Sequence, residues 1–455
     1  MSSRWRPLLR DRARRVAAAA RRRPLPWVIA GIVVVIGLAF AVQHYRGQVA
    51  PAVVIAAGVA SAGPVRVGAE VLAAHPGCLP LEGARERPWA VLTHAAAVGR
   101  DGRPDLQRIL DAGFRVIRVF APEHGVTGHG TTEGEAYLGI PVADLHGATR
   151  RPTDEMFEGV AGLMVDVQDV GVRFFTYAST MCICLEECAE RGLPVVVLDR
   201  PNPIGGVVEG PMMEDDCRSF VGYVPTPVSH GMTMGELATL FNRVELDGRA
   251  HLFVVPVANW SRAMWLDQTG LPWQRPSPGL HDMSSVIAYP ATCFLEGTNV
   301  SEGRGTMRPF ELVGAPWIDG EELAGVLNAS GLAGCWFTAR SFTPEGETVK
   351  YSGEECGGVM LHVTDRAAFR PVRTSVTVLW ALKQLYGEQL VWERSGRTHF
   401  IDLLAGTPRV RELLDANASP RELRALCDDG AQQFLRSDAR TRSLLRVYAP
   451  PAPGA

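Results

Sequence analysis

Between residues 88 and 257 the chain alternates short, unbroken apolar runs with helical stretches, and few folds accept that pattern. Residues 89–93, 115–120, 162–168, 194–199 and 251–257 read as strands. Helices are expected over 104–112, stopped by Gly113, over 176–191, stopped by Gly192, and over 233–244. The strand runs are mostly apolar rather than alternating, so both faces of their sheet must be covered. The expected class is therefore α/β: a Rossmann-like, mostly parallel sheet with helices on both faces. Residues 259–317 read as loop-rich. From about 319 a smaller α+β region follows, with a strand at 357–364 and an amphipathic helix at 372–386. Helical segments at 407–416 and 420–436 end it. The boundaries this implies are 67–308 for the Rossmann-like catalytic domain and 309–455 for the smaller C-terminal domain.

The start of the 455-residue chain is of another kind. Residues 1–23 hold nine Arg and one Asp, a surplus of eight positive charges, which leaves −11 on the other 432 residues behind a net charge of only −3. A basic tail (1–25) leads into a transmembrane anchor or signal segment (26–45) and a linker (46–66). The apolar run from Trp27 to Val42 has 16 residues. As a helix it reaches ~24 Å, a little short of the ~30 Å hydrocarbon core, with Pro26, Gln43, His44 and Tyr45 placed for the interfaces. Positive charge ahead of the run predicts the N-terminus inside and the body outside the cytoplasm. The body is then anchored to the membrane or, if cleaved after Ala60-Ser61-Ala62, secreted. An acidic body argues against nucleic acid as a partner. The nine cysteines fit no zinc ribbon. Cys182, Cys184 and Cys188 share one helix, with Cys182 turned from the other two, and read as small buried apolar residues. Sequence leaves open whether others form disulfides.

In such a sheet ligands sit beyond the carboxyl ends of the strands, and the polar clusters fall there. Ala121-Pro-Glu-His-Gly125 follows the second strand, residues 166–173 close the third and Asp199-Arg-Pro-Asn-Pro203 closes the fourth. Carboxylates and Arg at three strand ends indicate one convergent site. No Gly-x-Gly-x-x-Gly follows the first strand, which disfavours a nicotinamide cofactor. His124 and His129, near Glu123, Glu133, Glu135 and His146, form no strong zinc pattern, and no His-Glu-x-x-His occurs. No Gly-x-Ser-x-Gly elbow precedes a helix. Neither cofactor nor metal is expected.

Six segments, in order, resemble one family: APEHG (121–125), DVQDVGVRFFTYASTM (166–181), VLDRPNPIGG (197–206), GPMMED (210–215), SFVGYVPTPVSHGMTMGELA (219–238) and EGTNVSEGRGT (296–306). Together they are similar to the exo-β-N-acetylmuramidases, the NamZ-like peptidoglycan hydrolases, from about Val67 to near residue 447. The resemblance implies a Rossmann-like domain and a smaller C-terminal domain with a cleft between them. It also implies release of terminal N-acetylmuramic acid from the non-reducing ends of peptidoglycan fragments in wall turnover or recycling. A non-catalytic binder of wall sugars that keeps the same cleft is the alternative.

Glycoside cleavage needs an acid for the leaving oxygen and a group that stabilises or captures the oxocarbenium-like carbon. A carboxyl in a partly dry cleft can stay protonated near neutrality. On the resemblance, Glu123 is the general acid; otherwise it is a loop-capping carboxylate. Asp169 and Glu302 are candidates for a second catalytic carboxylate, unless the substrate's own acetamido group attacks. Asp166 and Glu296 are further carboxylates in the motifs, with substrate binding as the expected role. Arg173, Arg200 and Arg304 are the motif arginines available for the substrate's lactyl carboxylate, or for internal salt bridges. Asn202 and Asn299 can bond hydroxyls or the acetamide. Tyr177, like Trp273, can stack on a sugar or pack in the core. His124 and His230 complete the expected substrate contacts, His230 lying just before a helix N-terminus. Two departures from the family pattern stand out. Residues 93–98 read Thr-His-Ala-Ala-Ala-Val where an Asn-x-Thr-Gly-like turn is usual, and Phe175 replaces a common Tyr.

Overall fold

Successive residues of a strand leave a sheet on opposite faces, and here both faces are dry. Ala90, Leu92, Leu163, Val165, Val195 and Val197 enter one apolar core, while Trp89, Val91, Met164, Val196 and Leu198 enter the other. The computed structural model describes residues 53–54 and 63–448, apart from 129, 132, 133, 438 and 446. The expected tail and apolar segment (1–45) and the cleavage point after Ala62 lie outside the described residues. Among the described residues no helix is long and apolar enough to cross a membrane.

The strands are β1 (Val53–Val54), β2 (Trp89–Thr93), β3 (Val116–Ala121), β4 (Ala136–Tyr137), β5 (Ile140–Asp144), β6 (Gly162–Asp166), β7 (Val195–Leu198), β8 (Val208–Met212), β9 (Pro227–His230) and β10 (Leu252–Val255). Eight of them form one sheet in the order β1-β10-β7-β6-β2-β3-β5-β4. Every pair is parallel except the short β4–β5 edge. Without the edge strands β1 and β4, this is the doubly wound order, and the chain reverses direction of travel between β2 and β6. Ligand crevices in such sheets open at that switch point, beyond the carboxyl ends. β8 and β9 pair separately as an antiparallel hairpin.

Helices Gly68–Ala74 and Asp105–Asp111 cover one face, and helices Tyr177–Arg191 and Met234–Val244 the other. A second sheet holds β11 (Leu312–Ala315), β12 (Cys335–Phe342) and β13 (Cys356–Val363) in the order β11-β13-β12, all antiparallel. Helices Gly320–Ala329, Pro371–Tyr386 and Pro420–Leu435 accompany it.

The structure adds elements that the pattern left out. The expected linker contributes β1, parallel to β10. The stretch read as loop-rich contains helix Met283–Thr292, whose start is capped by Asp282 and Ser285; Pro276, Pro278 and Pro290 obscure it. β12 is an edge strand with exposed positions along its length, so it lacks the apolar run that marks the inner strands. All nine thiols are free. Cys182, Cys184 and Cys188 are all completely buried, because the helix carrying them is enclosed on both of its sides.

The sheet's carboxyl edge is closed by tight backbone approaches. Gly68 donates its N–H to the Asp199 carbonyl at 2.8 Å. A Cβ on Gly68 would lie 2.5 Å from both Asp199 N and Val255 O, which are backbone atoms with no room to move aside. Gly68→Ala should therefore destabilise the fold by about 2 kcal/mol or more. Thermal and denaturant unfolding measure this, and a wild-type midpoint would refute the close approach.

Candidate active site

Glu123 stands two residues beyond β3, at the carboxyl edge where a crevice is expected. Its carboxylate retains 28% side-chain exposure. Oε2 accepts a hydrogen bond from the Thr176 hydroxyl at 2.5 Å, and the Glu123 carbonyl accepts one from the Tyr177 hydroxyl at 3.2 Å. Both partners belong to the start of helix Tyr177–Arg191. His146, in the loop after β5, brings Nε2 to 3.5 Å from Glu123 Oε1.

The turn is unusual in its backbone. His124 has φ of +71°, a left-handed conformation that costs a side-chain-bearing residue free energy and tends to mark functional sites. Gly125 follows at φ +69°, and a Cβ there would stand 2.2 Å from the Gly130 carbonyl oxygen. The Glu123–Gly125 turn is thus held in one shape. His124 is half-buried, and burial, outweighing the Glu123 charge, lowers its pKa; the charges of Arg304 and His146 push it the same way.

Arg304 brings the later half of the chain to this place. Its Nη2 lies 2.5 Å from Glu296 Oε1 and its Nε 3.3 Å from Glu302 Oε1, with the guanidinium over the Phe310 ring. Glu302 is buried and its other oxygen meets Lys350 Nζ at 3.1 Å. Lys350 also donates to the Leu295 and Val300 carbonyls. Glu296 remains partly exposed.

Other expected contacts are committed to the interior. Arg200 is 4% exposed and pairs with Asp105 at 2.7 Å and Asp166 at 3.1 Å; its Nε bonds Gln168 and its Nη2 the Val98 carbonyl. Asp166 is fully buried. Burial, with the Asp105 charge, pushes its carboxyl up to about 7 against the pull of Arg200. Arg173 is buried among the carbonyls of Pro211, Thr226 and Leu404, and burial brings its pKa down to about 9. It ties the β8–β9 hairpin to the chain near residue 404. Asp169 accepts from Gly171 N and sits 3.5 Å from His230 Nε2, both side chains being buried. Asn202 bonds the Met232 carbonyl and Ile204 N–H, and Asn299 bonds residues 389 and 391. Tyr177 is 1% exposed and spends its hydroxyl on Glu123 and Pro276 carbonyls, so it is no stacking platform. The structure thus brings Glu123, His124, Tyr177 and Arg304 to one place, with Glu296 and Glu302 behind Arg304. It places Asp166, Asp169, Arg173, Arg200, Asn202 and His230 as internal supports, and leaves Asn299 partly exposed and bonded to the backbone of residues 389 and 391.

Three residues take roles that the sequence did not suggest: Thr176, His146, named above only beside a possible metal pattern, and His94, named only within the departing 93–98 loop. His94 directly follows β2 at the switch point. It is 3% exposed, its Nε2 accepts from Gln168 N–H at 2.9 Å, and its ring meets Tyr177 edge-on with centroids 4.7 Å apart. Burial and the nearby Arg200 and His124 charges push its pKa down to about 3. Among the described residues no group of three His, Cys, Asp or Glu side chains could hold a metal ion.

Comparisons with known proteins identify the family. The family model described as "Exo-beta-N-acetylmuramidase NamZ, N-terminal" matches residues 89–284, and its C-terminal counterpart matches 287–444. The chain belongs to the NamZ exo-β-N-acetylmuramidase family. A relative from Bacillus subtilis (strain 168), the peptidoglycan beta-N-acetylmuramidase NamZ, is 43% identical over 342 residues, covering 74% of this chain and 80% of that protein. Two crystal structures of DUF1343 family proteins from Bacteroides fragilis NCTC 9343 share the fold. One has a TM-score of 0.76 at 30% identity and the other 0.65 at 27%; each alignment covers 85% of this chain and 99% of the other.

A histidine whose pKa is depressed on folding is a stability switch. Below its unfolded value of ~6.5 the unfolded chain takes up a proton that the folded one refuses. Stability is therefore complete above that pH and drains as pH falls toward about 3. His94→Asn, which does not titrate, should flatten the loss of melting temperature between pH 6.5 and 4. An identical acid slope in variant and wild type would show that His94 is not the group responsible.

Proposed function

We propose that the chain is an exo-acting glycoside hydrolase that releases terminal N-acetylmuramic acid from the non-reducing ends of peptidoglycan fragments. Membership of the NamZ family supports the reaction class. The observation that carries the residue assignment is Glu123: among the carboxylates of the expected site, it is the one at the carboxyl edge that keeps access to solvent without an arginine or lysine on it. In this reading Glu123 protonates the glycosidic oxygen as the bond to the anomeric carbon breaks. Thr176 fixes one carboxyl oxygen, and the unusual turn at His124 aims the group. Asp169 and Glu302 act behind the cleft, one holding His230 and the other holding Arg304 and Lys350.

We also place the body outside the cytoplasm, tethered by the apolar segment near the N-terminus or released after cleavage. The Arg-rich start, with little positive charge following the apolar run, supports this orientation. Cell fractionation that recovered the full-length protein only from the cytoplasm would refute the placement.

The catalytic assignment is checked with Glu123→Gln in the full-length protein, using two substrates that differ in leaving group. On the disaccharide of N-acetylmuramic acid and N-acetylglucosamine, kcat should fall by roughly 10²- to 10⁴-fold with binding retained. On the para-nitrophenyl glycoside the fall should be smaller, because a phenolate leaves with little help from an acid. Equal losses on both substrates, or no loss, would remove Glu123 as the acid. A wild-type protein that binds the disaccharide without cleaving it would overturn the enzymatic reading.

A further inference from the structure

Recognition of a muramic acid over a glucosamine has to read the lactyl group on ring carbon 3, whose carboxylate is the chemical difference between the two sugars. Of the arginines expected to read it, Arg200 and Arg173 are buried and Arg304 already bonds two carboxylates. A different guanidinium, with no carboxylate partner among the described residues, is linked to Glu123 through two intervening rings.

The loop after β5 carries His146, Arg150 and Arg151. Arg151 Nη1 meets Glu187 Oε1 at 2.5 Å and its Nη2 meets Glu186 Oε2 at 2.6 Å, which fastens the loop to helix Tyr177–Arg191. Thr149 adds a local clamp, its hydroxyl donating to the Arg151 carbonyl and accepting from the Arg151 N–H. Arg150, one residue earlier, is exposed and pairs with no carboxylate among the described residues. Instead its guanidinium carbon lies 4.1 Å from the centre of the Phe220 ring. Phe220 sits at the tip of a turn closed by reciprocal backbone bonds between Ser219 and Gly222, at 3.0 and 3.1 Å. The same ring is 5.8 Å from the His146 ring, and His146 touches Glu123. Arg150, Phe220, His146 and Glu123 therefore form a continuous rim.

We propose that Arg150, backed by Phe220, binds the lactyl carboxylate of the terminal N-acetylmuramic acid. The inference rests on the exo-muramidase reading above. A guanidinium packed against an aromatic ring holds its orientation while its donor edge stays open, and a planar fork matches a carboxylate with two parallel bonds. The neighbouring ion pairs of Arg151 hold the loop without consuming the Arg150 charge. A rim position also suits the ligand, because neither charge has to be stripped wholly of water before the pair forms.

The test uses the full-length wild type, Arg150→Gln and Arg150→Lys with para-nitrophenyl N-acetylmuramic acid and its lactyl methyl ester, which has no negative charge. The Gln variant should lose roughly 10- to 100-fold in kcat/KM on the acid, the size of a charge-assisted double hydrogen bond, and mainly through KM. The Lys variant should recover only part of that. The ester and the Gln change should not add, as expected when both delete one interaction. A Gln variant that keeps the wild-type preference for acid over ester overturns the proposal, as does one whose loss is equal on both substrates. A wild type that turns over neither substrate defeats the exo-muramidase reading, and binding then decides the anchor. Tighter binding of N-acetylmuramic acid than of N-acetylglucosamine, abolished by Arg150→Gln, upholds it; equal affinities overturn it.

Discussion

A guanidinium cut off from water lies where the central strands end, and the cleft is built upon it. Arg200 follows β7, Asp166 ends β6, and Asp105 begins the helix that follows β2; one Nη of Arg200 reaches both carboxylates. Arg108 adds a second cation on Asp105 at 3.2 Å. An isolated buried charge would be prohibitively expensive, and removing one partner of such a pair costs about 3–5 kcal/mol because the other is stranded. The knot therefore fixes the ends of β6 and β7 against the start of the helix that follows β2. From it a chain of contacts runs outward. Arg200 bonds the Gln168 side chain, the Gln168 N–H bonds His94, His94 packs against Tyr177, and Tyr177 bonds the Glu123 carbonyl.

That chain divides the polar residues of the motifs by depth. Groups that are deep and fully bonded cannot meet a sugar, but they decide where the shallow groups point. Asp199 belongs to the deep class too: it accepts from Gly235 N–H and from the Thr233 and Tyr448 hydroxyls, joining the start of helix Met234–Val244 to the end of the described chain. The groups left at or near the surface include Glu123, His124, His146, Arg150 and Phe220; the buried bonds hold the Glu123 loop, and the Arg151 pairs fasten the loop of His146 and Arg150 to helix Tyr177–Arg191. A reactive carboxyl with a rigid mount and an open face is what proton transfer to a glycosidic oxygen requires.

The depth of a residue is also what sequence conveys least. The inner strands were legible because burial on both faces forces unbroken apolar runs: β2, β7 and β10 fall inside the expected segments, and the helix over 177–191 ends at Gly192, in the left-handed conformation. The position of Glu123 beyond a strand end was legible for the same reason. Arg200 and Arg173 were read as open to substrate because an arginine in a polar motif looks the same whether it faces a cleft or a buried carboxylate. The opposite error left His146 weighed only as a metal ligand and Arg150 unnoticed. Their loop follows β5, a short strand near the sheet edge with half-exposed positions, which has no apolar run to announce it. His94 escaped because its role comes from contacts with Gln168 and Tyr177, both more than 70 residues away.

The charge balance bears on how such a rim selects its ligand. The chain beyond its basic start carries −11, so at long range it offers an anionic sugar no attraction. At physiological ionic strength fields from exposed charges fade over ~8 Å. Discrimination must then be made at contact, by a cation whose charge has not already been neutralised. Arg304 is half-buried and clasped by Glu296 and Glu302, and Lys350 is turned onto backbone carbonyls as well as Glu302. Both serve chiefly to hold acidic loops in place. Arg304 also lies over an aromatic ring, that of Phe310, but Arg150 has such a ring without a carboxylate partner among the described residues, and the ring orients its guanidinium without cancelling its charge. The acidic body and a rim cation with no carboxylate partner among the described residues are therefore compatible: one leaves encounter unsteered, and the other makes selection local.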